Sequence, residues 1–348
     1  MLISMSAIGQ TKVVKKVAMK SNDFGVTYFL PKTSLVVTAE VKKVTCKVGP
    51  YYKYAEKYLG VKDVVVEDHV YYELGKVNLY NKGIPDTDNA FIISFRPGTV
   101  APYACLTEDG LIYSINAEYI HTESELELVK KNRTNTVNVK NVSVFSEELL
   151  MAGSIAKQAE VAAKQIYRIR ESRLNILTGE AENIPPDGEA MKVVISKLEE
   201  QEEALSNLFT GIKTTEVIEY DVTVIPHDNL DKEVLFRFSS HLGFLPSDDL
   251  GGVPVYMNLK ATERAPEIVD PKELAKKARN MRGSIVYNIP GKAVVDIQMN
   301  KQTLYRGDVQ IVQFGSQEGL ASVMFEDKKA PVKVYFHPET GALKQIIQ

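Results

Sequence analysis

The sequence has no tryptophan and only two cysteines, Cys46 and Cys105, in 348 residues. So few thiols exclude a disulfide framework as the source of stability. One bond is permitted in an oxidising compartment; otherwise the two act as small buried hydrophobes. The lack of tryptophan removes the side chain best suited to stacking on sugars. No apolar run beyond the first residues approaches the ~20 needed to span a bilayer as a helix. Neither sign of charge dominates: the formal charge of −3 is close to neutral for this length and gives no footprint for nucleic acid. What remains is a globular composition, 25% charged and 44% hydrophobic, with length for two or three domains.

Signatures of chemistry are missing too. The chain contains no Gly-x-Gly-x-x-Gly, no Gly-Lys-[Ser/Thr], no His-Glu-x-x-His and no Gly-x-Ser-x-Gly. Its five histidines, His69, His121, His227, His241 and His337, are scattered singly, poor material for a zinc site. The run His121-Thr-Glu-Ser-Glu-Leu-Glu127 reads as a solvated acidic stretch. Asp86-Thr-Asp88-Asn89 opens like a calcium loop, but Pro97 stands where an EF-hand places its bidentate Glu, so a polar turn is expected. Ser247-Asp-Asp-Leu-Gly-Gly252 reads as a glycine turn, with a surface divalent ion as the alternative. No catalytic residue, metal ligand or cofactor is assigned, and a non-enzyme is expected.

The N-terminal Met1-Leu-Ile-Ser-Met-Ser-Ala-Ile-Gly-Gln10 is apolar and small, and Ala7-x-Gly9 has the form of a signal-peptidase site. Residues 1–9 are therefore expected to be the tail of a signal peptide, which implies export to the periplasm or outer membrane. From residue 10 to 145, short β-branched and aromatic runs are broken by Gly, Pro, Asn and Asp, the pattern of strands. One insert, residues 50–60, has helical spacing that turns Tyr51 and Tyr58 toward a β core and leaves Tyr52 and Tyr54 outward. At Ser146 the pattern changes. Ile155, Ala159, Ala162, Ile166, Ile169 and Ile176 form one seam; Met191, Val194, Ile195, Leu198, Leu205, Leu208 and Phe209 form another. A hairpin of two long antiparallel helices over 146–211 follows, with Arg168 and Arg170 on the first helix facing Glu199 and Glu203 on the second. Strand patterning returns over 212–348, interrupted by a short helix with Asp270 as cap and Pro271 at its first position.

The two β regions share a weak repeat. Tyr28-Phe-Leu-Pro31 followed by Leu35-Val36 has the spacing of Tyr287-Asn-Ile-Pro290 followed by Val294-Val295. Glu108-Asp-Gly110 likewise matches Glu339-Thr-Gly341, each a turn that wants glycine at positive φ. The fold class is therefore α+β: two related antiparallel β modules, sandwich-like or barrel-like, flanking a helical hairpin.

Four segments together resemble an uncharacterised family of exported Bacteroidales proteins filed as a domain of unknown function. They are Tyr28-Phe-Leu-Pro31, Gly49 to Gly60, Arg168 to Gly179 and Phe336-His-Pro-Glu-Thr-Gly341. The resemblance implies an envelope setting and carries no catalytic residue. The expected function is a non-enzymatic scaffold or module binding envelope proteins through the hairpin or a β edge. The alternative is a carbohydrate- or ligand-binding protein using Tyr52 and Tyr54; a glycan hydrolase comes third, resting on dispersed carboxylates.

Overall fold

The computed structural model describes residues 12–15, 25–94, 104–118, 146–181, 188–325 and 332–347. The expected signal-peptide tail and the His121 to Glu127 stretch lie outside the described residues. The first β region comprises β1 (Lys12–Lys15), β2 (Gly25–Lys47), β3 (His69–Ser94), β4 (Ala104–Leu106) and β5 (Ile112–Ile115), with helix α1 (Ala55–Leu59) between β2 and β3. Three helices follow: α2 (Glu147–Leu150), α3 (Ile155–Thr178) and α4 (Gly188–Thr210). The chain then forms β6 (Ile212–Val224), β7 (Leu230–Ser239), β8 (Gly243–Leu245) and β9 (Val253–Glu263). After α5 (Pro271–Met281) come β10 (Ser284–Met299), β11 (Gln302–Ala321), β12 (Lys333–Phe336) and β13 (Leu343–Ile347).

These strands make three antiparallel sheets, ordered β1-β3-β2-β6, β11-β10-β9-β7-β8 and β13-β12-β5-β4. The fold is α+β, with sandwich-like packing. Leu35, Val37, Ala39 and Val41 alternate inward on β2 and meet Phe236, Met257, Val295 and Ile311 of the second sheet in one core. A second core gathers Tyr28, Leu30 and Ile93 with Ile112, Ile115, Ile285, Val334 and Phe336, so it draws on all three sheets.

The two β regions do not form separate sheets. β6, the first strand beyond residue 211, pairs with β2 from Leu35 to Lys47, and β12 pairs with β5. Each region leaves a strand edge whose amides and carbonyls need partners, and the other region supplies them.

Prolines expected to end strands instead bend them. β2 continues past Pro31 with a register shift against β3 between Phe29 and Pro31, and β10 shifts against β11 between Ile289 and Gly291. A bulge absorbs the missing N–H, so a strand of 23 residues serves both cores. Within the regions of expected strand pattern, Val64 to Val66 is an irregular connection and Ser322–Phe325 is a 3-10 turn.

The long hairpin expected from Ser146 is likewise not one pair of unbroken helices; the described residues form five α-helices of 4 to 24 residues. Ser146 caps only α2, by accepting from the Leu149 amide. The chain then breaks at Met151 to Ser154, and Ser154 caps α3 through the Lys157 amide. Two serine caps within nine residues offer the backbone an alternative to continuing the helix, and Gly153 between them lowers the helix propensity further.

Candidate functional site

The Tyr-rich insert packs on helices, not on a β face. Residues Tyr52–Tyr54 form a 3-10 turn leading into α1, which ends at Gly60 with φ of 70°. Tyr51 is buried with its ring 5.5 Å from that of Phe209 on α4, and the Tyr51 amide donates to the Leu208 carbonyl at 2.8 Å. Tyr167 of α3 donates its hydroxyl to the Tyr58 carbonyl at 2.7 Å. One apolar cluster therefore joins Tyr51 and Ala55 to Leu149, Ala159, Ala162, Ile166, Leu205 and Phe209, with Tyr54 and Tyr58 packed against it. Burial comes first because neither the insert nor the helices can cover an apolar stripe alone. Tyr52, half-buried, has the Lys53 ammonium 5.7 Å from its ring centroid.

The main ionic link between α3 and α4 is the Glu202 carboxylate. Glu202, its side chain 14% exposed, accepts from Arg170 Nε at 2.7 Å and lies 3.0 Å from Arg173 Nη1. Glu199 is a weaker partner, 3.7 Å from Arg173. Arg170 also lies over the Tyr167 ring, 5.7 Å from its centroid. Arg168 and Glu203 are exposed, and among the described residues no ion pair joins them to the other helix. Of the residues picked out by pattern, Arg170 and Glu199 are brought to one place. The central acceptor is Glu202, which shares the acidic stretch of α4 with Glu199 and Glu203 but is not among the residues that the pattern singles out.

Beyond residue 166 the helix pair loses its cover. Ala159, Ala162, Ile166 and Phe209 are 0% exposed, whereas Tyr167, Leu174, Leu177 and Val193 are 51%, 59%, 60% and 61% exposed. Isolated exposed leucines are ordinary; Leu174, Leu177 and Val193 together make the end of the pair where α3 stops and α4 starts apolar and exposed, whereas Tyr167 in mid-helix is tied to Tyr58.

Two clefts lie where β3 approaches β11. The larger, about 440 Å³, is bordered by α5 and contains Lys32, Asp86, Asn89 and Asn288. The Asp86 carboxylate accepts from Lys32 at 2.8 Å, from Asn89 Nδ2 at 2.6 Å and from the Asp88 amide at 3.1 Å. Burial opposes its charge, but these donors, Lys32 foremost, outweigh burial and hold the carboxyl below the usual range. Asp86 to Asn89, expected as a polar turn, instead runs inside β3, with the Asp86 carboxylate filled by protein donors. Asn288, buried, donates Nδ2 to the Pro31 and Thr340 carbonyls. The smaller cleft, about 340 Å³, contains Tyr80, Asn81, Tyr305, Asp308, His337 and Glu339. It was not legible as a site because its residues come from three distant segments.

Ser247 to Gly252 is a turn held by Asp249 Oδ1 accepting from the Gly251 amide at 2.7 Å. Cys46 is buried, Cys105 half-buried, and both are free thiols. Among the described residues no group of three His, Cys, Asp or Glu side chains is placed to hold a metal. No helix among them is long and apolar enough to cross a membrane.

One family matches the chain. It is described as a domain of unknown function, DUF4831, and the match covers residues 24–344. Neither the curated proteins nor the solved structures contain a match.

Proposed function

The chain belongs to the DUF4831 family, whose description assigns no activity, and from its surfaces we propose a non-enzymatic, exported protein-binding module of the cell envelope. In this reading α3 and α4 act as a hairpin whose outer end receives another protein chain. The observation that carries it is the contrast along the helix pair. Ala159, Ala162 and Ile166 pack with Tyr51 and Phe209 in the inner half, where only Ile155 at the start of α3 is an exposed large apolar residue of the pair, while Leu174, Leu177 and Val193 at the outer end are all exposed. Exposed Arg168 on one helix and Glu203 on the other add charge of both signs, suited to steering and register rather than to raw affinity.

The same reading treats the two β regions as unequal copies of one module that brace the hairpin. Two matched contacts support this. The Phe29 amide donates to the Gly110 carbonyl at 2.9 Å, and the Asn288 amide donates to the Gly341 carbonyl at 3.0 Å. Each stands beside a parallel bridge, Phe29 to Leu111 and Asn288 to Ala342. β10 and β11 are joined by Asn300 and Lys301 alone, both at positive φ, whereas the Tyr-rich insert lies between β2 and β3.

The test is co-purification from cross-linked native envelopes with the Leu174→Asp/Val193→Asp double variant. Loss of the partners recovered with wild type, at an unchanged melting temperature, is expected. An unchanged set of partners contradicts the reading.

A further inference from the structure

We propose that the cleft formed by β3, β11 and the turn at residues 337–341 binds a neutral saccharide. This site is separate from the helix pair and from the Tyr-rich insert. Its walls are built by close backbone approaches. A Cβ at Gly83 would lie 2.4 Å from the Pro338 carbonyl oxygen, so the turn seats directly on β3. The turn is closed by the Gly341 amide donating to the His337 carbonyl at 2.6 Å and the His337 amide donating to the Ala342 carbonyl at 2.8 Å, which fixes the backbone carrying Glu339. On β11, a Cβ at Gly307 would lie 2.6 Å from the Tyr305 hydroxyl, so the Tyr305 ring lies back along its own strand over Gly307.

The lining selects the ligand. The carboxylates of Asp308 and Glu339 accept hydrogen bonds, and among the described residues no lysine or arginine lines the cleft, which disfavours an anion. Asn81 commits its Nδ2 to the Gln310 carbonyl at 2.9 Å, leaving its oxygen as a further acceptor. A ligand that carries hydrogen-bond donors suits these acceptors, and the Tyr80 and Tyr305 hydroxyls can donate in return. Tyr80 and Tyr305 add half-buried aromatic surface for an apolar face. Burial, and then the charge of Asp221, push the Tyr80 phenol up. A sugar ring combines hydroxyl donors around its edge with C–H faces. An alkylammonium satisfies the acceptors as well, but Asp308 is exposed, where charge attraction is screened and cation–π contacts are weak, whereas several hydroxyl bonds to charged acceptors add.

Saturation-transfer NMR on the full chain with maltose, cellobiose and lactose as separate probes, and hexylamine as the cationic probe, tests the proposal. Transfer to at least one disaccharide is expected. It should weaken about tenfold in Asp308→Asn, an exposed change that keeps side-chain volume, and in Tyr305→Ala with the melting temperature recorded alongside. Three results overturn the proposal: no transfer to any of the three sugars, transfer to hexylamine alone, or sugar transfer unchanged in Asp308→Asn.

Discussion

Tyr28 and Val286 are tied to each other twice: the Val286 amide donates to the Tyr28 hydroxyl at 3.0 Å, and that hydroxyl donates to the Val286 carbonyl at 3.3 Å. The pair spans 258 positions and joins the two β regions inside a core where Tyr28 is 0% exposed. Tyr28→Phe keeps the ring but leaves a buried amide without its acceptor, so it should cost about 1–3 kcal/mol in urea unfolding.

Alkaline pH tests the same residue. Burial pushes the Tyr28 phenol well above the ordinary tyrosine value of ~10, against the opposing hydrogen bond to Val286. The folded protein then keeps a proton that the unfolded chain releases. Because the folded value is the raised one, this stability is complete below pH ~10 and is lost as pH rises above it. Tyr51, Tyr80 and Tyr287 are raised in the same direction, chiefly by burial. Wild type should lose stability steeply above pH ~10, and Tyr28→Phe should show a shallower slope.

Acid acts on Asp86. Its carboxyl is held below the usual range, so its contribution is present above the unfolded value of ~3.9 and fades as pH falls through the folded one. Asp86→Asn should cost about 1–3 kcal/mol at neutral pH and flatten the acid limb of a stability profile.

Between the helices the prediction separates neighbours. Glu202→Ala removes the acceptor shared by Arg170 and Arg173 and should cost about 1–2 kcal/mol. Glu203→Ala, on the exposed side, should stay within about 0.5 kcal/mol of wild type. Denaturant midpoints of the two variants decide it.

Glycine substitutions compare the two turns. Gly110 and Gly341 have φ of 77° and 66°, so alanine at either position incurs about 1–2 kcal/mol of backbone strain. A Cβ at Gly341 also meets Pro31 Cδ at 2.7 Å, while one at Gly110 meets only the Phe29 ring at 3.1 Å. Gly341→Ala should therefore lower the melting temperature more than Gly110→Ala.

Local signals were legible where local physics decides. Asp270 with Pro271 opens α5 as expected, the carboxylate accepting from the Lys272 amide at 2.8 Å, and Gly60 and Gly179 close α1 and α3 at positive φ. Alternation along β2 and β10 marked their core faces. Pairing over long sequence distances was not legible. Nothing local to Ile212–Val224 says that its partner is β2, and nothing in Tyr51 says that it packs on Phe209 rather than on a strand. Pro31 and Pro290 were read as strand ends because a proline signals a missing N–H, not whether a bulge will absorb it. Helical spacing sets a face only to within a residue or so, so it does not separate Glu202 from Glu199 and Glu203; the ion-pair geometry depends on how the two helices settle together.

The proposed docking role of the helix pair is tested most directly by site-specific photo-cross-linking in native envelopes, with the reactive side chain placed at position 174, at position 193 and, as a control, at position 216 on β6. A discrete protein adduct at 174 and 193 and none at 216 is the predicted result. No adduct at 174 and 193, or the same adducts at all three positions, contradicts it.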